Sequence, residues 1–331
     1  MFNSKIVPEL RNDSTIKTDM EIDLSPKNIN DSQLQMMFAI CYPSIPVEAQ
    51  IGLSLRILCG FGIEEIADAF LSNKETINKR LFRAKEKLRE EKIKIEFPQE
   101  VEINKRLETV LTTIYLLFSE GYYSVSQNST IRKDFCFESI RLCNMLVENQ
   151  TTNKPEVNAL LSLMYFHASR FDARIDKNGE PVLYDEQDTN LWDSDLISKG
   201  AYFLNIAAIG NKISKYHLEA AIAYWNTQKE DTREKWESIL QLYNQLLQLE
   251  YSPIAALNRT FALSKANCKE EAIQEAEKLN LNMNHFYFML LGELYSTIDK
   301  EKAKLNFDKA LSLAKTVNDK KAIQNKINKL E

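Results

Sequence analysis

Glycine and proline are scarce in this chain, and their scarcity limits what it can fold into. The 331 residues contain eight of each, where average usage would give roughly 12% for the two together. Tight turns depend on these residues, so we expect long, uninterrupted elements. Leu, Lys, Glu, Ala, Asn and Ile dominate the composition, which favours helices over strands. The sequence therefore predicts an all-α protein and argues against a β-sandwich or barrel.

Composition also narrows the class of protein. Hydrophobic residues make up 44% of the chain, which supplies a core and excludes full disorder. No apolar run approaches the roughly 18 residues of a membrane-spanning helix, and residues 1–20 lack the apolar stretch of a secretory signal. Five cysteines without a CxxC motif are typical of reduced core thiols. We expect a cytoplasmic protein that does not enter membranes.

The common signatures of catalysis are absent from the sequence. It contains no HExxH, GxxxxGK[ST] or GxSxG motif. We expect the isolated His167, His217 and His285 to be partly buried helix residues rather than metal ligands. The acidic run over residues 185–195 could bind a divalent cation, but we favour a helix cap at Asp193. The sequence thus predicts no catalytic residue, no metal site, no cofactor and no enzymatic activity.

Helical periodicity begins at Leu34, after a polar stretch over residues 1–33 that we interpret as a flexible leader. A helix over residues 46–59 then ends at Gly60, because glycine tolerates the left-handed backbone of a helix end. A short helix over residues 63–70 follows.

A second, longer helix over residues 74–92 comes after a three-residue turn. Ser72 and Glu75 have the spacing of a capping box at its start. Phe82 falls off the apolar face and is expected to pack on a neighbouring helix. The apolar face itself consists of Ile77, Leu81, Ala84 and Leu88.

The short helix, the turn and the longer helix together have the form of a helix-turn-helix, with Ala67 where the two helices cross. Residues 74–94 carry nine Lys or Arg and four Glu, a net charge of +5 in a chain whose net charge is −5. Such segregation indicates binding to a polyanion. The alternative is a solvated Lys/Glu face.

In a helix-turn-helix the start of the second helix enters the major groove of DNA. Arg and Lys can meet guanine there, and Asn can meet adenine. The predicted DNA-binding residues are Lys74, Thr76, Asn78, Lys79, Arg80, Arg83 and Lys87.

Two further patterns lie downstream. Residues 174–183 contain Asn178-Gly179, which is typical of the tip of a β-hairpin. Near the end of the chain, the spacing of small and large residues is that of a tetratricopeptide (TPR) unit, in which a small residue lets two helices approach. The positions are Leu291, Gly292, Tyr295, Ala303, Phe307 and Ala310.

The stretch from Pro46 to Glu90 closely resembles region 4 of bacterial RNA polymerase sigma factors of the extracytoplasmic-function (ECF) type. The matching positions are Thr76-Ile77, Arg80-Leu81, Arg83-Ala84 and Leu88-Arg89. The resemblance extends over residues 34–315 to a subgroup that carries a helical domain of unknown function and then TPR-like repeats, through segments 115–122, 174–183 and 185–193.

The resemblance implies a winged-helix-like region 4 that recognises the −35 element of promoter DNA and contacts the β flap of core RNA polymerase. It further implies a protein partner at the TPR-like repeats. Such sigma factors begin with region 2, which melts DNA, and the residues before position 34 are too few to hold it. Either the chain is truncated or split from a region 2 gene, or it works without region 2, and promoter opening by this chain alone is not expected.

The sequence therefore predicts four segments: a leader over 1–33, a region 4 domain over 34–95, a helical domain with a hairpin over 96–212, and TPR-like repeats over 213–331. The favoured function is that of a sigma-type initiation protein. The alternatives are a helix-turn-helix regulator that is not a sigma factor, and a TPR scaffold for protein interactions.

Overall fold

In the computed structural model, which describes residues 25–70, 72–122, 132–177, 182 and 184–330, the protein is all-helical. The α-helices of the described residues are α1 (Pro26–Ile40), α2 (Val47–Leu53), α3 (Ile63–Ala69), α4 (Lys74–Glu90), α5 (Glu100–Tyr122), α6 (Lys133–Glu148), α7 (Pro155–Ala168), α8 (Ser194–Ala207), α9 (Lys215–Trp225), α10 (Arg233–Leu249), α11 (Pro253–Ala266), α12 (Lys269–Leu279), α13 (His285–Tyr295), α14 (Lys300–Leu313) and α15 (Val317–Asn328). A π-helical turn over Ser54–Leu58 continues α2. Within the described ranges no helix is both long and apolar enough to cross a bilayer.

The buried side chains form two clusters, and helix α9 belongs to both. The first cluster extends from Leu34 to Ala223, and the second from Leu218 to Ile327. Along α9, Ala220 and Ala223 pack into the first cluster, whereas Leu218 packs into the second. Helix α9 is therefore the seam between an amino-terminal and a carboxy-terminal region.

Two polar contacts, one buried and one partly buried, tie the first helices to α5 and α6. The Thr113 hydroxyl of α5 donates to Oε1 of Gln50 in α2 at 2.8 Å. The guanidinium of Arg141 in α6 donates through Nη2 to the carbonyl of Leu58 at 2.9 Å. Because a buried polar group left unpaired is costly, these contacts fix how residues 34–95 sit on the helices that follow. The first hydrophobic cluster therefore continues across residue 95, the predicted end of the region 4 domain.

The expectations for the leader and for the hairpin differ from the structure. Helix α1 begins at Pro26, inside the predicted leader, because Ser25 caps it by accepting the N–H of Asn28 at 3.3 Å. The β-hairpin is not supported: its tip at residues 178–179 lies outside the described residues, and the described part of the segment forms no strand. One backbone bond joins its sides, from the Val182 N–H to the Arg174 carbonyl at 2.8 Å.

The carboxy-terminal region is built from consecutive helices, α10 to α15, each packed on the next. Gly292 of α13 lies directly against Phe307 of α14, since a Cβ added to the glycine would be 2.7 Å from the ring. Ala303 and Ala310 are fully buried on the same face of α14. The close helix crossing expected at Gly292 is confirmed.

Candidate nucleic-acid interface

Helix α4 packs on α2 and α3 through its apolar stripe and leaves its other sides open. Ile77, Leu81 and Ala84 are buried, as the periodicity predicted. Gly52 of α2 makes room for Leu81, because a Cβ at that glycine would be 3.0 Å from the Leu81 Cδ2. Burial of this stripe fixes the rotation of α4, and thereby decides which side chains face solvent.

The start of α4 differs from the predicted capping box. Asn73 is the cap, and its Oδ1 accepts the N–H of Thr76 at 2.8 Å. Ser72 donates its own N–H to the carbonyl of Ala67 at 2.9 Å and so still belongs to the end of α3. Asn and Ser are equally good caps, and the end of α3 decides between them. Glu75 instead pairs with Lys79.

The cations of α4 lie in two lines, one on either side of an acidic stripe. The first line, the Arg80 flank, consists of Thr76, Arg80, Arg83 and Lys87. The second, the Lys85 flank, consists of Lys74, Asn78, Lys85 and Arg89. The acidic stripe between them consists of Glu75, Glu86 and Glu90. Side chains three and four residues apart are neighbours on a helix, so each flank presents a row of positive charge roughly parallel to the helix axis.

Two of the predicted DNA-binding cations form ion pairs. Lys74 pairs with Glu64 of α3, and the Lys79 ammonium lies 2.6 Å from the Glu75 carboxylate. Both lysines are largely exposed, and exposed pairs of this kind contribute little stability. These pairs therefore hold the two lysines only weakly.

The cations of the Arg80 flank form no ion pair among the described residues, whereas Lys74 and Arg89 of the Lys85 flank do. The Arg80 guanidinium lies over the Phe70 ring, 5.7 Å from its centroid, and Arg83 is exposed with no carboxylate in ion-pair distance among the described residues. Lys87 donates to the carbonyl of Ser44, which holds it at the far end of the flank. Thr76 and Asn78 are also exposed, so the structure places all seven predicted residues on the open sides of α4.

Phe82 lies on the surface, contrary to the expectation that it packs on a neighbouring helix. Its side chain is 63% exposed, and it falls between Asn78 and Lys85 on the Lys85 flank. Among the described helices, α4 packs mainly on α2 and α3, and both contact its buried stripe on another side, so these contacts leave the ring uncovered.

The acidic run contains the predicted cap. Asp193 accepts the backbone N–H groups of Asp195 at 2.9 Å and Leu196 at 3.0 Å at the start of α8. Glu186 pairs with Lys329 at 3.2 Å. These carboxylates support local structure and link the segment before α8 to the end of the chain.

The histidines are half-buried helix residues, as expected. Cys41, Cys136 and Cys143 are buried core thiols, as expected, whereas Cys59 is half-buried and Cys268 is exposed beside the start of α12. Burial raises the pKa of Cys41 to about 11 and that of Cys136 to about 12, so these thiols stay protonated and unreactive near neutral pH.

Sequence reasoning missed a second concentration of polar groups. A cavity of about 960 Å³ lies between the two regions, and Arg170 and Arg174 line it beside His167. The spacing of these residues, three and then four apart, is helical and is the one sequence signal that could have indicated a shared face.

The comparisons with known proteins identify relatives of unknown function. Residues 106–208 match a family model described as a family of unknown function, DUF6596; this match falls inside the predicted helical domain over 96–212. The chain is 33% identical over 304 residues to an uncharacterized protein of Rhizobium meliloti (strain 1021), with 89% of this chain and 72% of that protein aligned. The chain belongs to the family of that protein. No solved structure matches the chain.

Proposed function

We propose that this chain is a sigma-type transcription initiation protein in which α3 and α4 form a helix-turn-helix that binds the −35 element of a promoter. Helix α4 is the observation that carries the proposal. One of its faces is buried on α2 and α3, while both flanks present cations in an otherwise acidic chain. A rigidly seated, exposed basic helix is what major-groove binding requires.

The two ends of the Arg80 flank have different tasks under this proposal. Arg83, which is exposed, and Arg80, which is half-buried beside Phe70, lie close to the start of the helix. Both reach base edges, where arginine binds guanine in a bidentate manner. Asn78 is positioned to read adenine from the other flank. Lys87 lies farther along α4 and meets a phosphate, which positions the protein without reading sequence.

The direct test is binding of the full chain to a duplex that carries a −35-like element, followed by fluorescence anisotropy. We expect Arg80→Ala and Arg83→Ala each to weaken binding by roughly 1–3 kcal/mol, because each removes a base contact. The dependence of log affinity on log salt should lose about 0.9 for each phosphate contact removed, as in Lys87→Ala.

The matched control changes charge equally in the other region. Lys304 and Lys309 are exposed on α14, and the double variant Lys304→Ala/Lys309→Ala should bind DNA like the wild type. Equal affinity for the Arg80→Ala/Arg83→Ala variant and this control at moderate salt would rule out α4 as the DNA-binding helix.

Binding to core RNA polymerase separates a sigma-type protein from a plain helix-turn-helix regulator. We expect the purified chain to bind core enzyme and to compete with an isolated β-flap fragment. DNA binding without any core binding would instead favour the regulator.

A second function, as a scaffold for a protein partner, is supported by the carboxy-terminal helix pairs. The close approach of Gly292 to Phe307, with Ala303 and Ala310 buried beside it, has the small-and-large packing of TPR units. Such units stack into extended binding surfaces. Loss of DNA binding in every assay, with a stable partner complex retained, would favour the scaffold.

A further inference from the structure

The cavity between the two regions has walls from both core clusters. Tyr122 and His167 contribute from the amino-terminal side, and Trp236 and Phe261 from the carboxy-terminal side. Its volume of about 960 Å³ is at the upper end of the range for small-molecule pockets, about 300–1,000 Å³. The lining exposes more apolar than polar surface, and its polar groups include Arg170 and Arg174.

Two arginines of the lining have no counter-ion among the described residues. Arg170 is 7% exposed, and its Nε has no hydrogen-bond partner. The Nη1 of Arg174 is also buried without a partner. No carboxylate of the described residues lies within ion-pair distance of either guanidinium. A buried charge without a partner is strongly unfavourable, so these groups are poised for an anion.

The surroundings hold both guanidinium groups in place. Arg174 lies over the Tyr122 ring at 3.9 Å from its centroid, and Arg170 lies over the Tyr184 ring at 5.3 Å. Stacking on an aromatic face orients a guanidinium while leaving its N–H edges free to donate. His167 supplies no negative charge; burial and the two arginines hold its pKa well below the ordinary value.

The acids around the cavity are engaged elsewhere. Asp172, between the two arginines in sequence, pairs with Lys133 at 2.5 Å. Three further carboxyl groups line the cavity with partners of their own: Glu219 with Tyr115 at 3.4 Å, Glu250 with Lys215 at 3.1 Å, and Asp319 with Thr316 at 2.7 Å.

We propose that Arg170 and Arg174 bind the carboxylate or phosphate group of a small organic anion whose apolar body occupies the rest of the cavity. The guanidinium fork matches both anions in a bidentate manner, and the aromatic walls suit an apolar or aromatic body. Since the cavity has walls from both regions, the ligand contacts both. This proposal is independent of DNA binding.

The test is calorimetric titration of the full chain with phenyl phosphate, phenylacetate and the uncharged phenylacetamide. We expect at least one of the two anions to bind and the amide not to bind; the stronger anion distinguishes a phosphate site from a carboxylate site. Arg170→Met and Arg174→Met should each weaken anion binding roughly 10- to 100-fold, the loss expected for a charge-assisted hydrogen-bonding group. Arg233→Met, at an exposed arginine of α10 that pairs with Glu237, should bind like the wild type.

A second variant distinguishes loss of anion binding from misfolding. Arg174→Lys keeps the charge but loses the planar fork, so it should melt at the wild-type temperature and still bind the anion more weakly. The proposal is wrong if neither anion binds the wild-type chain at millimolar concentration. It is equally wrong if both arginine-to-methionine variants bind the anion as the wild type does, or if Arg174→Lys binds it with unchanged affinity.

Discussion

Each of the two regions contains a glycine that packs directly against a buried phenylalanine ring. In the amino-terminal region Gly200 of α8 lies against the Phe166 ring of α7, and in the carboxy-terminal region Gly292 lies against the Phe307 ring. A Cβ added to either glycine would be 2.7 Å from a ring carbon. Both phenylalanines are almost fully buried. The two contacts differ in how much of the protein should lose structure when each is disturbed.

The amino-terminal region is held by contacts between residues distant in sequence, such as those of Gln50 with Thr113 and of Arg141 with Leu58. The carboxy-terminal region is held mainly by each helix packing on the next. Stacked units of the second kind have stability that is nearly a sum of local terms, and they lose structure unit by unit. The first kind is expected to unfold as a whole.

The largest effect should come from truncating the two rings. Phe166→Ala and Phe307→Ala should each destabilise by about 3–5 kcal/mol, because each leaves a large cavity in a close-packed core. Hydrogen exchange should separate them. Phe166→Ala should raise exchange throughout α1 to α9, whereas Phe307→Ala should raise it in α12 to α15 only.

If hydrogen exchange rose over the same helices in both variants, the distinction between the regions would be wrong. The seam provides the internal control, because α9 packs into both clusters. Its amides should lose protection in Phe166→Ala and keep it in Phe307→Ala.

The next largest effect tests the glycines themselves. Gly200→Leu and Gly292→Leu should each overpack their helix pair and lower stability by about 1–3 kcal/mol. Combining Gly292→Ala with Phe307→Leu should recover part of the loss of Gly292→Ala alone, since the smaller side chain yields to the new Cβ. A thermal melt of the four variants checks this, and a Gly292→Leu protein as stable as the wild type would disprove the assigned helix contact.

The stability of the protein should depend on pH through Glu219 of α9, the helix at the seam. Burial raises the pKa of Glu219 from its ordinary 4.5 to about 7. Because the pKa of Glu219 is higher in the folded state than in the unfolded state, protonation of this carboxyl stabilises the folded protein. The stabilisation is complete below pH 4.5 and is lost as the pH rises through about 7. Glu219→Gln, which resembles the protonated form, should therefore be more stable than the wild type at pH 8 and equal to it near pH 4.

A pKa difference of this size corresponds to about 3 kcal/mol, and because water reaches the half-buried side chain we expect about 1–2 kcal/mol. Thermal melts of both proteins between pH 4 and pH 8 measure it. Glu277→Gln, at another glutamate that contacts a tyrosine hydroxyl, serves as the control, since a shift shared by both variants would not come from the seam.

How far the sequence predicted this structure depends on whether a feature is local. The close contact at Gly292 followed from the spacing of small and large residues, because a glycine opposite a ring lets two helices approach. The side on which Phe82 lies depends on which helices surround α4, and no local pattern contains that. Arg170 and Arg174 were missed because their significance comes from a cavity whose other wall is formed by residues far along the chain.

The start of α4 shows the same limit at a single residue. Ser72 and Asn73 are adjacent, and either could cap a helix, so propensity does not choose between them. The choice follows from tertiary structure: Ser72 closes α3 through its N–H bond to Ala67, which leaves Asn73 with the extended backbone that a cap needs.

Removing a helix cap should give the smallest of the predicted effects, and the two regions offer one cap each. Asn73→Ala should lower stability by about 1 kcal/mol by releasing the Thr76 N–H, and Ser72→Ala should change it little. Asp299 caps α14 by accepting the Lys302 N–H at 3.0 Å, so Asp299→Ala should produce a similar loss in the carboxy-terminal region.

The two cap variants should differ in their effect on DNA binding. Asn73→Ala loosens the first turn of α4 and should weaken DNA binding, whereas Asp299→Ala should leave DNA binding unchanged, since α14 lies among helices that pack mainly on their neighbours. Thermal melts with anisotropy on the same duplex distinguish them. If Ser72→Ala proves the more damaging of the two adjacent changes, the helix begins one residue earlier than the structure has it.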